Sequence, residues 1–211
     1  MKKYGKWIAV ALLLSLVFAA VAVNYHKNGA ERQNRLSLIY IPKVVDSRND
    51  FWTSLIQGVQ MSAQEANVDI EIMAPEEEND VEGQNRILKQ GPDAILISPS
   101  SFTESNSLLQ EARDQGIRIT FIDSYTEESI QEITVATDNV EAGKKLGEFA
   151  ASLLKPEDQI AIVAHVKGVS TAVEREKGFR EGLGKFEKNI VDVVYCDSRY
   201  DKSYELTMEL I

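Results

Sequence analysis

Side chains able to hydrogen-bond or stack on a small molecule recur at one kind of place in this chain, directly after a short apolar run. Asp46-Ser47-Arg48-Asn49-Asp50-Phe51-Trp52 follows the first run. Ser98-Pro99-Ser100-Ser101, Asp123-Ser124, Thr137-Asp138-Asn139, His165-Val166-Lys167-Gly168 and Asp197-Ser198-Arg199-Tyr200 follow later ones. Amides, hydroxyls, carboxylates and a few cations gathered at strand ends are what a crevice for a small polar ligand needs. Phe51 and Trp52 have two readings: a stacking surface for a ligand, or anchors that seat the first turn of their helix in the core. The chemistry is that of holding rather than converting. No nucleophile sits beside a base, and no G-x-G-x-x-G, G-x-x-x-x-G-K-[ST] or G-x-S-x-G occurs. His26 and His165 are too few and too separate for a metal site, so His165 reads as a strand-end residue. The lone Cys196 permits neither an internal disulfide nor a cysteine metal cluster. No cofactor is implied.

These loops need elements to position them. Short Ile- and Val-rich runs predict strands at residues 36–41, 68–73, 94–97, 118–122, 133–136, 159–163 and 190–195. Helical spacing lies between them: Trp52, Leu55, Ile56, Val59 and Ala63 share one face, and Val140, Leu146, Phe149, Ala150 and Leu153 share another. Helix stops fall at Asn67, Gly91-Pro92 and Gly116. Thr171-x-x-Glu174 has capping-box spacing, and Asp138-x-x-Glu141 is a weaker version. The alternation predicts an α/β fold with largely parallel sheets. The gap between the runs near Arg118 and Ile133 leaves no room for a crossover helix, which places a change of lobe there.

At 211 residues and 44% apolar content the chain can bury one good core or two small ones. The first 35 residues hold six basic side chains against Glu31, leaving 17 basic and 32 acidic residues, a net charge of −15, for the rest. A body that acidic repels phosphate backbones, which excludes nucleic acid as a natural partner. Lys2, Lys3 and Lys6 precede an apolar run at residues 7–23, interrupted only by Ser15. That run reads either as a signal peptide, cleaved near Ala20-Val21-Ala22, or as a membrane contact and anchor, with the lysines inside and the body outside. Residues 24–35 read as a tether.

The strand-end residues also carry a family likeness. Asn49-Asp50-Phe51-Trp52, Ile95-Leu96-Ile97-Ser98-Pro99, Phe121-Ile122-Asp123, Thr137-Asp138-Asn139-Val140-x-x-Gly143 and Arg175-x-x-Gly178-Phe179, in this order, resemble the type 1 periplasmic sugar-binding proteins of the ribose-binding kind. The resemblance implies the periplasmic-binding-protein type 1 fold, with two Rossmann-like lobes that close on a sugar, here divided as residues 31–137 and 138–211 behind an N-terminal segment 1–30. It implies a binding protein outside the cytoplasm, not an enzyme, that hands sugar to an ABC-type permease. The alternative is a membrane-anchored module that reports its bound state to a receptor or histidine kinase. By position it makes Phe51 and Trp52 stacking surfaces, with Tyr200 as their partner from the other lobe. Asn49, Ser98 and Asp123 take hydroxyls on the first lobe, and the planar guanidinium of Arg175 donates two bonds from the second. The competing reading of Arg175 is a surface cation paired with nearby acids. A lac-repressor-type regulator shares the core but begins with a basic DNA-binding head, where this chain has its apolar run.

Two departures accompany the resemblance. Ser98 stands where ribose-binding members carry Asn, and Asp123-Ser124 replaces Asp-Arg, which removes a fork of donors. Another pentose, a hexose or a small polyol therefore suits the pattern as well as ribose does. The chain also ends in an apolar helical pattern, on the order of 100 residues before its relatives do, so the expectation is a shortened form whose second lobe is incomplete.

Overall fold

The computed structural model describes residues 37–89 and 92–211, together with Phe18, Ala19 and Val21. The chain divides at Leu36/Ser37, and the fold is that of residues 37–211. The apolar run at residues 7–23 lies outside the described residues except for Phe18, Ala19 and Val21, which are helical and exposed. Among the described residues no helix is long and apolar enough to cross a membrane. Gly91, expected to stop a helix, also lies outside them.

Strands β1 (Ser37–Ile41), β2 (Asp69–Ile72), β3 (Ala94–Ile97), β4 (Arg118–Ile122) and β5 (Ile133–Val135) form one sheet in the order β2-β1-β3-β4-β5, every pair parallel. Helices α1 (Asp50–Glu65), α2 (Val81–Leu88) and α3 (Asn106–Asp114) connect the first four strands. The chain leaves β1 in one direction for β2 and crosses back to β3 for the other. A doubly wound sheet that reverses between neighbours opens a crevice at their carboxyl ends. Ile39, Ile41, Ile95, Ile97, Ile119 and Phe121, from the three central strands, form the core with Ile87, Leu88 and Leu109. Each such fully buried side chain contributes about 1.5–3 kcal/mol, which explains why these strands read as near-continuous apolar runs. As the spacing suggested, β4 reaches β5 without a helix, but the change of lobe expected between them does not occur there, because β5 pairs with β4 in the first sheet and the second sheet begins with β6.

Local signals place the helices. The Asn49 side chain caps α1 by accepting from the amides of Phe51 (3.1 Å) and Trp52 (3.4 Å), and Asp80 caps α2 through Gly83 (2.7 Å). Asn67 and Gly116 take positive φ of 52° and 87° where helices were expected to stop.

After β5 the chain forms α4 (Asn139–Leu153), β6 (Ile160–Ala164), α5 (Ser170–Leu183), a 3₁₀ segment (Gly184–Asn189), β7 (Ile190–Tyr195) and α6 (Tyr200–Leu210), with β6 and β7 paired in a second parallel sheet. This is the α/β architecture of two Rossmann-like lobes, the second carrying two strands among the described residues.

Two local expectations are corrected. The cap of α5 is Val169, two residues before the expected Thr171, and Glu174 accepts from the Tyr125 hydroxyl instead of closing a capping box. The expected Asp138 cap does form, accepting from the Glu141 amide at 2.9 Å. In α4 the supposed inner stripe lies outside: Leu146, Phe149 and Leu153 are 60–68% exposed. The buried face is instead Asn139, Gly143 and Gly147. There α4 crosses α5 backbone to backbone, glycine stripe against glycine stripe. A Cβ at Gly143 would stand 2.2 Å from the Arg175 carbonyl oxygen, and one at Gly178 only 2.0 Å from that of Val140. The apolar spacing of α4 misleads because close approach of two backbones selects for missing side chains.

Gly178→Ala should lower the stability of the chain by about 1–3 kcal/mol, because backbone must move to admit the methyl. Gly58→Ala in α1, where nothing lies within 4 Å, should raise it by roughly 0.5–1 kcal/mol. Urea midpoints of the two variants test the contrast, and equal shifts of one sign would disprove it.

Candidate functional site

The carboxyl end of β1 delivers Lys43 immediately after Ile41 and Pro42. Its ammonium is buried, 1% exposed, and lies 3.4 Å from an Asp123 carboxylate oxygen at the end of β4. It also lies 5.8 Å from the centre of the Trp52 ring, within range of a cation–π attraction. Burial lowers the Lys43 pKa, Asp123 and Glu78 oppose that shift, and Arg175 adds to it. Trp52 is itself buried, its indole N–H donating to Glu78 Oε1 at 2.9 Å, while Phe51 packs edge-on against it and remains half exposed. The aromatic pair thus divides its two readings: Trp52 is held inside, and Phe51 faces outward.

At the end of β3, Ser98 is fully buried and shares a 3.2 Å hydrogen bond with the Tyr40 hydroxyl, whose pKa burial pushes up to about 12. Gln84 fixes the same loop, donating to the Ser98 carbonyl and accepting from the Ser100 amide. Asp123 stands in a left-handed conformation with φ of 68°. Ser124 bonds the Pro99 carbonyl at 2.9 Å, tying the loops after β3 and β4 together.

The second sheet brings its own strand ends to this edge. The Phe102 amide donates to the Gly168 carbonyl at 2.9 Å, the Tyr125 amide to Ser170 Oγ at 3.0 Å, and the Tyr125 hydroxyl to Glu174. His165, at the end of β6, shares a 2.8 Å bond between Nε2 and Thr171 Oγ1. Its pKa is lowered to about 4 by burial first, then by the charges of Lys43 and Arg175. Arg175 lies on the exposed side of α5 and donates from Nε to the buried Asn139 carboxamide at 2.8 Å. That leaves the terminal nitrogens of its guanidinium without a hydrogen-bond partner among the described residues. Beside this cluster an open cleft of about 640 Å³ is lined from one side by the 44–49 loop and Glu76 to Glu78, and from the other by residues 197–201.

Of the residues singled out in the sequence, Asn49, at the cleft wall, uses its carboxamide oxygen as the α1 cap, and Tyr200 stands 72% exposed on the opposite wall. Asp123 and Trp52 lie beside Lys43, and Arg175 is bonded to Asn139. Phe51 lies beside Trp52, and Ser98 is occupied by Tyr40. Sequence reasoning passed over Lys43, named Asn139 only within its strand-end and family motifs, and read His165 only as a strand end. A charged residue flush against a buried strand was the available signal for Lys43. Asn139 carried none beyond its place in a polar strand end.

Residues 40–211 match a family described as periplasmic binding protein domain. The ribose import binding protein RbsB of Bacillus subtilis is 29% identical over 136 residues, 62% of this chain and 44% of that protein. The galactofuranose-binding protein YtfQ of Escherichia coli is 31% identical over 112 residues, 51% of this chain and 35% of that protein. The chain thus spans less than half the length of these two relatives. Among solved structures, a sugar transporter from Clostridium phytofermentans superposes with a TM-score of 0.79 at 39% identity, covering 83% of this chain and 66% of that one.

The His165 environment predicts a pH dependence. The folded state favours the neutral ring, while the unfolded chain takes up a proton near pH 6.5, so folding stability is full above that value and falls as pH drops toward about 4. The loss attributable to this one group is on the order of 1–3 kcal/mol. His165→Gln should unfold with a shallower pH slope across this window than the parent protein. Parallel slopes in chemical denaturation would refute the assignment.

Proposed function

Because this chain belongs to the periplasmic binding protein domain family, we propose that it holds a small sugar between its two lobes, outside the cytoplasm, for delivery to an ABC-type permease. The lobes correspond to residues 31–137 and 138–211. The observation that carries the reading is the placement of Lys43, Asp123 and Trp52 at the strand ends where the sheet order reverses, with the loops after β3 and β4 hydrogen-bonded to Gly168 and Ser170 of the second lobe. A sugar offers an apolar C–H face for an aromatic surface and a rim of hydroxyls for charged and amide groups. Phe51, exposed beside Trp52, supplies the accessible ring. Asn49 keeps its amide N–H₂ for a hydroxyl, and Tyr200 closes the cleft from the far wall. The unpartnered guanidinium nitrogens of Arg175 supply a donor fork from the second lobe.

The names of the relatives support the ligand class, since one is a ribose import binding protein and another binds galactofuranose. The lysines ahead of the apolar run at residues 7–23 support a body placed outside the membrane that this run contacts. Hinge closure follows from the arrangement: a ligand that touches both lobes favours the state in which they meet.

Calorimetric titration of the 211-residue chain with D-ribose, D-arabinose, D-allose and myo-inositol should give saturable binding to at least one of them. Arg175→Ala should weaken that binding by about 2 kcal/mol or more. Absence of binding to any sugar overturns the proposal, and an unchanged dissociation constant returns Arg175 to the surface.

A further inference from the structure

The hydrogen bonds that join the loops after β3 and β4 to the second lobe centre on one side chain. Tyr125 is held at both ends: its main-chain amide donates to Ser170 Oγ at 3.0 Å, and its hydroxyl donates to a Glu174 carboxylate oxygen. Ser170 and Glu174 are four residues apart on α5, so they share one face and stand one turn, about 5.4 Å, from each other along the axis. A tyrosine laid along that face spans the turn from its backbone to the tip of its ring. Beside it the Phe102 amide donates to the Gly168 carbonyl at 2.9 Å.

The surroundings make this a restraint and not a passing surface contact. Ser170 is 1% exposed, and Val166, Val169 and Ala172 form a buried cluster in the same turn and the loop before it. The Phe102 ring meets the Tyr125 ring edge-on, 6.1 Å between centres. Burial first, and then the bond to Glu174 and its charge, push the Tyr125 pKa up to about 12, so the hydroxyl keeps its proton to donate. A hydroxyl donating to a carboxylate is one of the stronger kinds of hydrogen bond. Tyr125, Ser170 and Glu174 stand apart from the lining of the cleft between the 44–49 loop and residues 197–201. The contact therefore joins the lobes without occupying that cleft.

We propose that Tyr125 is a positioning residue: spanning from the loop after β4 to α5, it clasps the two lobes together with or without ligand and so sets the fraction of molecules ready to bind. The effect on affinity rests on the sugar reading, whereas the clasp itself does not. A protein whose competent arrangement is only partly populated binds more weakly by that fraction. Loosening the clasp therefore costs every ligand the same factor, while losing a residue that touches ligand costs each a different one.

Tyr125→Phe keeps the ring and the main-chain bond and deletes the hydroxyl, while Glu174→Gln keeps an oxygen that accepts. Spin labels on Ser47→Cys and Glu205→Cys, exposed on the loop before α1 and on α6, report the lobe separation by pulsed electron resonance, Cys196 being buried. In the ligand-free 211-residue chain Tyr125→Phe should shift the distances to longer values, and Glu174→Gln should leave them near the parent's. Calorimetry with D-ribose, D-arabinose, D-allose and myo-inositol should show Tyr125→Phe weakening each compound that binds by one common factor, about threefold to tenfold, with near-ultraviolet circular dichroism unchanged. Identical distances in parent and Tyr125→Phe overturn the inference, and so do losses that differ from compound to compound. If the parent binds none of the four, the sugar reading falls and the distances alone decide the clasp. Should Tyr125→Phe lose its native circular dichroism, Glu174→Ala takes its place with the same expected outcomes.

Discussion

An ammonium taken out of water sets the terms for the whole cluster at the sheet's reversal point. A buried charge is tolerated only where opposite charge, aromatic faces and hydrogen-bond acceptors replace lost hydration, and Lys43 obtains each of these from a different element. Asp123 comes from the end of β4, Trp52 from the start of α1, and Glu78 from the segment before α2. The cap of α1 by Asn49 fixes where the indole begins, and the Ser124 bond to Pro99 fixes the loop that carries Asp123. A ring of local structural choices therefore converges on one nitrogen. In the second lobe burial, and after it the charges of Lys43 and Arg175, lower the pKa of His165.

The two lobes are built on different principles. The first rests on a sheet of five strands with Ile and Phe side chains packed across it. The second buries little side-chain volume among the described residues, its compact cluster being Val166, Val169 and Ala172. It gains order instead from the α4–α5 crossing, where four glycines let backbone lie against backbone. Asn139 and Arg175 meet across that same crossing, so the position of the guanidinium is a consequence of helix contact as much as of its own rotamer.

Much of the first lobe was legible because its information is local and periodic. Buried parallel strands read as unbroken Ile- and Val-rich runs, Asn67 and Gly116 end helices by the conformations they permit, and Asp138 caps α4 where its spacing said it would. Strand-end polarity pointed to the edge at which ligand chemistry gathers. What escaped depends on partners distant in sequence. Nothing near Trp52 announces that Glu78 will take its N–H, and nothing near Ser98 announces that Tyr40 will occupy its hydroxyl. The apolar stripe of α4 misled because amphipathic spacing reports where large side chains lie, whereas the contact that decides this helix is made by residues with none.

Asp123 brings a different constraint. Its backbone turns into the left-handed region, which asparagine, aspartate and glycine enter with little penalty and branched residues resist. The carboxylate beside Lys43 is therefore specified twice, by its charge and by the shape of the main chain beneath it. Glutamate keeps the first property and compromises the second, while asparagine does the reverse. The range of sequences that can drift through this position without disturbing the pocket is correspondingly narrow, and a change of ligand preference is more readily reached through the neighbouring loops than here.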